Sequence, residues 1–122
     1  MTAYGKELIL DLADCRLPVN RYRIKKYFEG LCELIDMERC EYHFWDYEGD
    51  IEACMAAPDH LQGTSAIQFI MTSNITIHTL DKLGMVLINI FSCKEFDEFK
   101  AVCWSVDFFK GLVKNQTTIK RG

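Results

Sequence analysis

The stretch Gly63–Cys93, GTSAIQFIMTSNITIHTLDKLGMVLINIFSC, holds four side chains able to do chemistry: Ser65, Ser73, His78 and Cys93. Hydroxyls and thiols act as nucleophiles or proton donors once a neighbour handles the proton. An imidazole is the side chain best suited to that exchange near neutral pH. Ser73 and His78 stand in one short run, Ser73-Asn-Ile-Thr-Ile-His78-Thr79. The competing reading is an ordinary buried hairpin with incidental polar residues, so the rest of the chain has to decide.

At 122 residues the chain suits a single domain, 1–122, able to bury a sizeable core. Its 49% apolar and 26% charged residues are those of an ordinary globular protein. A formal charge of −4 argues against a nucleic-acid partner, which wants a basic surface. No apolar run is long enough for a membrane span, and Met1-Thr-Ala-Tyr-Gly-Lys6 lacks the regions of a signal peptide, so a cytoplasmic protein with no membrane partner is expected. The six cysteines form no CxxC pair, and a zinc ribbon or disulfide framework is not expected. His43, His60 and His78 lack metal-ligand spacing, so no metal is expected.

The elements that must position these side chains follow from periodicity. Lys6–Leu12 is a short apolar run and predicts a strand. Ile24, Tyr27, Phe28, Leu31, Leu34 and Ile35 recur at helical spacing, with Arg21, Arg23, Lys25 and Lys26 on a solvated face. Cys40–Asp46 alternates and is rich in aromatic residues, which predicts a second strand. Tyr47–Gln62 has the composition of a long loop. Ser65–Met71, Asn74–Leu80 and Met85–Phe91 are predicted as three successive strands. Ser92-Cys-Lys-Glu95 has the form of a capping box opening a helix that carries Phe96, Phe99, Val102, Cys103, Val106 and Phe109, with Gly111 as its stop. Thr117–Lys120 is a possible edge strand. The order β-α-β-β-β-β-α-β predicts an α+β two-layer sandwich, an antiparallel sheet with both helices on one face.

The run Ser73 through Thr79 resembles the processing motif of bacterial-type S-adenosylmethionine decarboxylase, a pyruvoyl-dependent family whose members cut their own chain at such a serine. The likeness extends to Gly5-Lys6-Glu7-Leu8-Ile9-Leu10-Asp11-Leu12 with Cys15 after it, to Gly63-Thr64-Ser65, to Phe91-Ser92-Cys93 and to Thr118-Ile119-Lys120-Arg121-Gly122. Five matched runs in the right order span most of the chain. The resemblance implies self-cleavage between Thr72 and Ser73, with Ser73 becoming the pyruvoyl cofactor. It also implies that His78 and Ser65 assist the acyl shift and elimination, and that Cys93 is the thiol that reprotonates the decarboxylated carbon. Loss of CO₂ from an α-amino acid demands an electron sink, which a carbonyl condensed with the substrate amine as a Schiff base provides. The implied activity is a decarboxylation of S-adenosylmethionine in polyamine (spermidine) biosynthesis.

The chain departs from the family pattern at a few positions. Glu7 stands where histidine is common, and Thr72 where glutamate usually precedes the serine. Leu80 and Lys82 replace the tryptophan and glutamate of the common His-Thr-Trp-Pro-Glu run. The tryptophan stacks on adenine and the glutamate holds the ribose. Phe44, Trp45 and Tyr47 are alternative aromatic surfaces. Two other functions stay open on this ground: the same chemistry on arginine or ornithine, and a non-cleaving, non-catalytic relative.

Strand arithmetic adds a constraint. A hairpin closed around Asp81–Gly84 sets Thr79 roughly opposite Met85, which brings Ser73 near Phe91 and beside Cys93. His78 lies five residues along the same strand, about 16 Å from Ser73. The preceding hairpin sets Ser65 diagonally near His78. Two half-sites separated in this way can meet across a two-fold axis, and bacterial members of the resembled family are dimers of this kind. A homodimer with shared sites, dimerising through the sheet region, is therefore expected.

Overall fold

Leu8, Leu10 and Leu12 alternate with Glu7, Ile9 and Asp11, and that period of two builds the sheet around which the molecule is arranged. In the computed structural model, which describes residues 4–122, this run is β1, Gly5–Ala13. Met1–Ala3, the start of the segment expected to lack a signal peptide, lie outside the described residues. The chain continues through α1 (Arg21–Leu34), β2 (Arg39–Trp45), α2 (Ile51–Ala56), β3 (Ser65–Ile70), β4 (Ser73–Leu80), β5 (Met85–Ser92), α3 (Glu98–Phe109) and β6 (Leu112–Arg121). The six strands form one sheet in the order β2-β3-β4-β5-β1-β6, with antiparallel neighbours throughout.

One face of the sheet is buried. Leu8, Leu10, Leu12, Ile75, Ile77, Val86, Ile88 and Ile90 pack there against Ile24, Tyr27, Phe28 and Leu31 of α1 and Ala101 and Phe109 of α3. Full burial of such a side chain stabilises the fold by about 1.5–3 kcal/mol. The Tyr27 hydroxyl, fully buried, meets the Ser105 hydroxyl at 2.7 Å and so keeps a partner between the two helices. The opposite face carries Ile67, Phe69, Thr76, His78, Leu87, Asn89 and Phe91, and among the described residues no helix covers it. This is the two-layer α+β sandwich that the element order predicts.

Three local expectations need correction. The stretch read as a loop, Tyr47–Gln62, contains the short helix α2, which Asp50 caps by accepting from the Ala53 amide at 3.0 Å. Ser92 does not cap α3: it ends β5, and its hydroxyl bonds the Lys94 backbone instead. The helix starts five residues later, with the Asp97 carboxylate accepting from the Lys100 amide at 3.1 Å. The final strand is far longer than Thr117–Lys120, because Leu112–Arg121 pairs along the whole of β1. Backbone pairing with a long neighbour fixes this polar segment, which carries little apolar alternation of its own.

Candidate active site

β3 and β4 join through a two-residue turn, Met71-Thr72, closed by the pair Ile70 and Ser73. Thr72 sits at φ 53° in the left-handed region, which is unusual for a β-branched residue and costs of order 1–3 kcal/mol. The bond the sequence marks for cleavage thus leaves a strained residue. Ser73 begins β4 with its side chain on the helix-covered face, 6% exposed. Its hydroxyl accepts from the Cys93 amide at 3.1 Å and lies 3.6 Å from the Cys93 sulfur. The Thr72 hydroxyl stands 3.1 Å from the same sulfur. These two hydroxyls, Thr72 foremost, hold the exposed Cys93 thiol below its ordinary pKa by stabilising the thiolate.

The segment carrying Cys93 is tied down from two directions. At Gly5 (φ 141°) a Cβ would lie 2.4 Å from the Ser92 carbonyl oxygen and 3.0 Å from Cys93 Cα, so only glycine allows β1 to pass so near. Next to it, the buried Lys6 Nζ donates to Glu95 and Glu98, each at 2.8 Å, and to the Phe96 carbonyl at 2.9 Å. Burial by itself would lower the Lys6 pKa, but the two carboxylates outweigh it and raise it above the ordinary value.

A second cluster lies on the uncovered face. Ser65 and His78 are directly paired across β3 and β4, closer than the diagonal relation expected, and Ser65 Oγ meets His78 Nδ1 at 2.7 Å. The register here depends on Gly63, where a Cβ would fall 1.6 Å from the Thr79 carbonyl oxygen. Backbone and side-chain bonds between Thr64 and Thr79 lock the same crossing. Trp45 pairs with Ser65, and His78 with Leu87, so Trp45, Ser65, His78 and Leu87 form one row across four strands. A cleft of about 260 Å³ opens on this row, lined by Trp45, Ser65, Ile67, Thr76 and His78 among others. The larger cavity, about 680 Å³, lies by Tyr22, Ile51 and Asp81 and contains none of the five predicted site residues.

The structure therefore brings Ser73, Thr72 and Cys93 together, and Ser65 with His78, as two separate groups. The β4–β5 register is one residue away from the expected alignment: Thr79 faces Val86 and Leu80 faces Met85. That slip carries Ser73 past Phe91 toward Ser92 and leaves Cys93 at its side. Ser73 and His78 are five positions apart, an odd step along the strand, so they also point to opposite faces of the sheet. Among the described residues no group of three or more His, Cys, Asp or Glu side chains is arranged to hold a metal ion. Nor is any described helix long and apolar enough to cross a membrane.

The sequence profile of the S-adenosylmethionine decarboxylase family matches residues 6–122, nearly the whole chain. The chain belongs to that family. S-adenosylmethionine decarboxylase proenzymes of Caldicellulosiruptor saccharolyticus and Caldicellulosiruptor bescii are each 28% identical to it over 125 residues, covering 100% of this chain and 91% of the relative. The crystal structure of the adenosylmethionine decarboxylase from Aquifex aeolicus shares the fold, with a TM-score of 0.77 over 100% of this chain and 93% of that one, at 14% identity. S-adenosylmethionine decarboxylases of this kind are pyruvoyl-dependent carboxy-lyases made as proenzymes, and their cofactor comes from a serine of the chain itself. The residues around Ser73 suit such a group: a hydroxyl oriented by an amide and a thiol, following a strained peptide. Three features escaped sequence reasoning, namely the φ of Thr72, the exposure of Trp45 and the close approach at Gly5. Only backbone geometry and neighbouring strands reveal them.

Proposed function

We propose that this protein is a self-cleaving decarboxylase of S-adenosylmethionine in polyamine (spermidine) synthesis, with residues 1–122 acting as one domain cut between Thr72 and Ser73. The observation that carries this reading is the Ser73 hydroxyl, held between the Cys93 amide and sulfur directly after the strained Thr72. In maturation Ser73 Oγ attacks the Thr72 carbonyl carbon, the Thr72–Ser73 C–N bond breaks, and an ester replaces the amide. Removal of the Cα proton of residue 73 then expels the Thr72 carboxylate. The resulting dehydroalanine takes up water and loses ammonia, which leaves a pyruvoyl group at position 73. That group supplies the electrophilic carbonyl and electron sink that no side chain offers.

Within one subunit His78 is about 16 Å along the strand from Ser73 and on the other face, beyond the hydrogen-bond reach that proton transfer needs. A homodimer resolves this. The partner's His78, oriented by the partner's Ser65, then serves the acyl shift and elimination at Ser73. The uncovered sheet face, with Ile67, Phe69, Leu87 and Phe91 partly exposed, is the surface such a dimer would use. Cys93 is the proton donor to the decarboxylated carbon. Six free thiols among 122 residues fit a reducing compartment, which supports a cytoplasmic location.

Intact-mass measurement of the purified protein, followed by CO₂ release from carboxyl-labelled S-adenosylmethionine, arginine and ornithine, tests the proposal. Two fragments, the later one blocked to Edman degradation, and release chiefly from S-adenosylmethionine are expected. A chain that stays whole after long incubation would exclude every pyruvoyl reading. Cleavage with release only from arginine or ornithine would keep the chemistry and overturn the substrate.

A further inference from the structure

We infer that Lys6 is a positioning residue for the reaction: its buried ammonium holds the irregular segment 93–97 and thereby fixes where the Cys93 thiol stands. This rests on the reading of Cys93 as the proton donor to the decarboxylated carbon. β1 places Lys6, Leu8, Leu10 and Leu12 on the helix-covered face, and the three leucines are fully buried. Lysine at the remaining position, 7% exposed, interrupts that apolar stripe. Taking a charge out of water is costly before its partners offset it, and an apolar residue of similar volume is often at least as stabilising. Stability alone is therefore a poor account of a lysine here.

What the ammonium holds is the stretch between β5 and α3. Residues 93–97 form neither strand nor helix, so side-chain bonds must set their course. Lys6 Nζ donates to Glu95 Oε2 and Glu98 Oε1 at 2.8 Å each and to the Phe96 carbonyl at 2.9 Å, which uses all three of its protons. The same nitrogen lies 4.7 Å from the centre of the Phe96 ring. Glu98 opens α3 and also accepts from the Thr118 hydroxyl of β6 at 2.6 Å, so the clamp joins β1, β6 and α3. At its other end the segment leaves β5 at Ser92, the partner of Lys6 across the β1–β5 ladder. Cys93 stands between these anchors, its amide donating to the Ser73 hydroxyl. The neighbouring Lys94 also favours the thiolate and is bonded to Asp36. A proton donor misplaced by about 1 Å loses much of its rate. Lys6 acts on that placement through the segment and not on the reacting atoms.

The test uses Lys6→Met, Lys6→Arg and the double variant Glu95→Ala/Glu98→Ala. Leu12→Ala is the control, since it loosens the core about 20 Å further along β1. The first readout needs no turnover. In an uncut His78→Ala background, the pH profile of Cys93 labelling by iodoacetamide is read by peptide mass. Lys6→Met is expected to move that profile up toward that of N-acetylcysteine, as the thiol leaves the Thr72 and Ser73 hydroxyls, and Lys6→Arg to keep it in place. The double variant separates position from charge. Loss of two carboxylates lowers the labelling pH if only the field on the thiol matters, whereas a loosened segment raises it. Leu12→Ala should lower Tm and leave the profile where it was. In matured protein, per cleaved chain, Lys6→Met should lower kcat for S-adenosylmethionine about tenfold with KM within about twofold. The share of turnovers that end in transamination of the pyruvoyl should rise. If Lys6→Met does not fold, the double variant decides. A Cys93 profile that is unmoved or shifted to lower pH in the double variant, or moved equally by Leu12→Ala, would overturn the inference and leave the decarboxylase reading intact. A wild type that matures but releases no CO₂ from S-adenosylmethionine would overturn the substrate reading, while the labelling profiles would still decide whether Lys6 sets the position of the thiol.

Discussion

The two chemical clusters of this protein are built in contrasting ways. The Thr72-Ser73-Cys93 group is at a hairpin tip, its serine buried on the helix side and its turn residue forced to positive φ. The Ser65–His78 group is in mid-sheet on the uncovered face, in regular extended backbone. Each depends on one glycine that lets another strand approach: Gly5 under the Ser92-Cys93 segment, Gly63 against Thr79. The first group combines a strained turn residue with a buried hydroxyl beside a thiol. The second lies in unstrained backbone and presents an imidazole on the uncovered face. In the self-cleavage proposed above, different faces of one sheet carry the strained turn and the base.

The sharpest break of this contrast is a mixed dimer. Ser73→Ala alone should abolish cleavage completely while leaving the fold intact, and His78→Ala alone should mature poorly. Co-expressed with different tags, the pair should regain one site, with cleavage confined to the His78→Ala chain, as read by mass on purified heterodimers. Absence of rescue, or normal cleavage by a monomer, would place both clusters in one subunit's site.

Cys93→Ala should leave maturation largely intact yet lose specific decarboxylation, perceptible as inactivation of the pyruvoyl by transamination during turnover. Normal turnover in that variant would reduce Cys93 to packing.

A smaller effect concerns the thiol's titration before cleavage. Because hydrogen bonds from Thr72 and then Ser73 favour the thiolate, the Cys93 pKa is lowered, and ionisation begins at lower pH than in an ordinary thiol. In uncut His78→Ala protein, iodoacetamide should therefore label Cys93 at lower pH than it labels the small free thiol N-acetylcysteine. Thr72→Val should move the Cys93 profile back up. A Cys93 profile that Thr72→Val leaves unmoved would argue that the Thr72 hydroxyl does not act on the sulfur in solution.

The least effect is on stability. In a Ser73→Ala background Thr72→Gly removes the steric cost of φ 53° and should stabilise the hairpin by roughly 1 kcal/mol, a few degrees in Tm. In the cleavable chain the same change should slow self-cleavage if strain promotes the acyl shift. A rate equal to that of the wild type would separate strain from chemistry.

The sheet was legible because period-two burial is written directly into β1, β4 and β5, where Leu8–Leu12, Ile75–Ile77 and Val86–Ile90 alternate with polar or half-buried neighbours. The grouping of the four candidate residues was legible too, Ser73 with Cys93 and Ser65 with His78, since hairpin arithmetic on neighbouring strands sets it, while their roles are those proposed above. What the chain alone left undecided depends on partners distant in sequence. β6 is a strand because β1 offers it an edge, although its own residues are mostly polar. Ser92 looks like a helix cap but ends a strand, because β1 pairs with it through Lys6 before a helix can begin. The one-residue register between β4 and β5 decides what lies opposite Ser73, and no local preference sets it. Trp45 and Phe44 are adjacent aromatic residues of similar propensity, and only the pleat of the assembled sheet turns one to the core and the other to the row holding His78. Residue type determines which chemistry is available; the pairing of strands determines which side chains share a face and can take part in it.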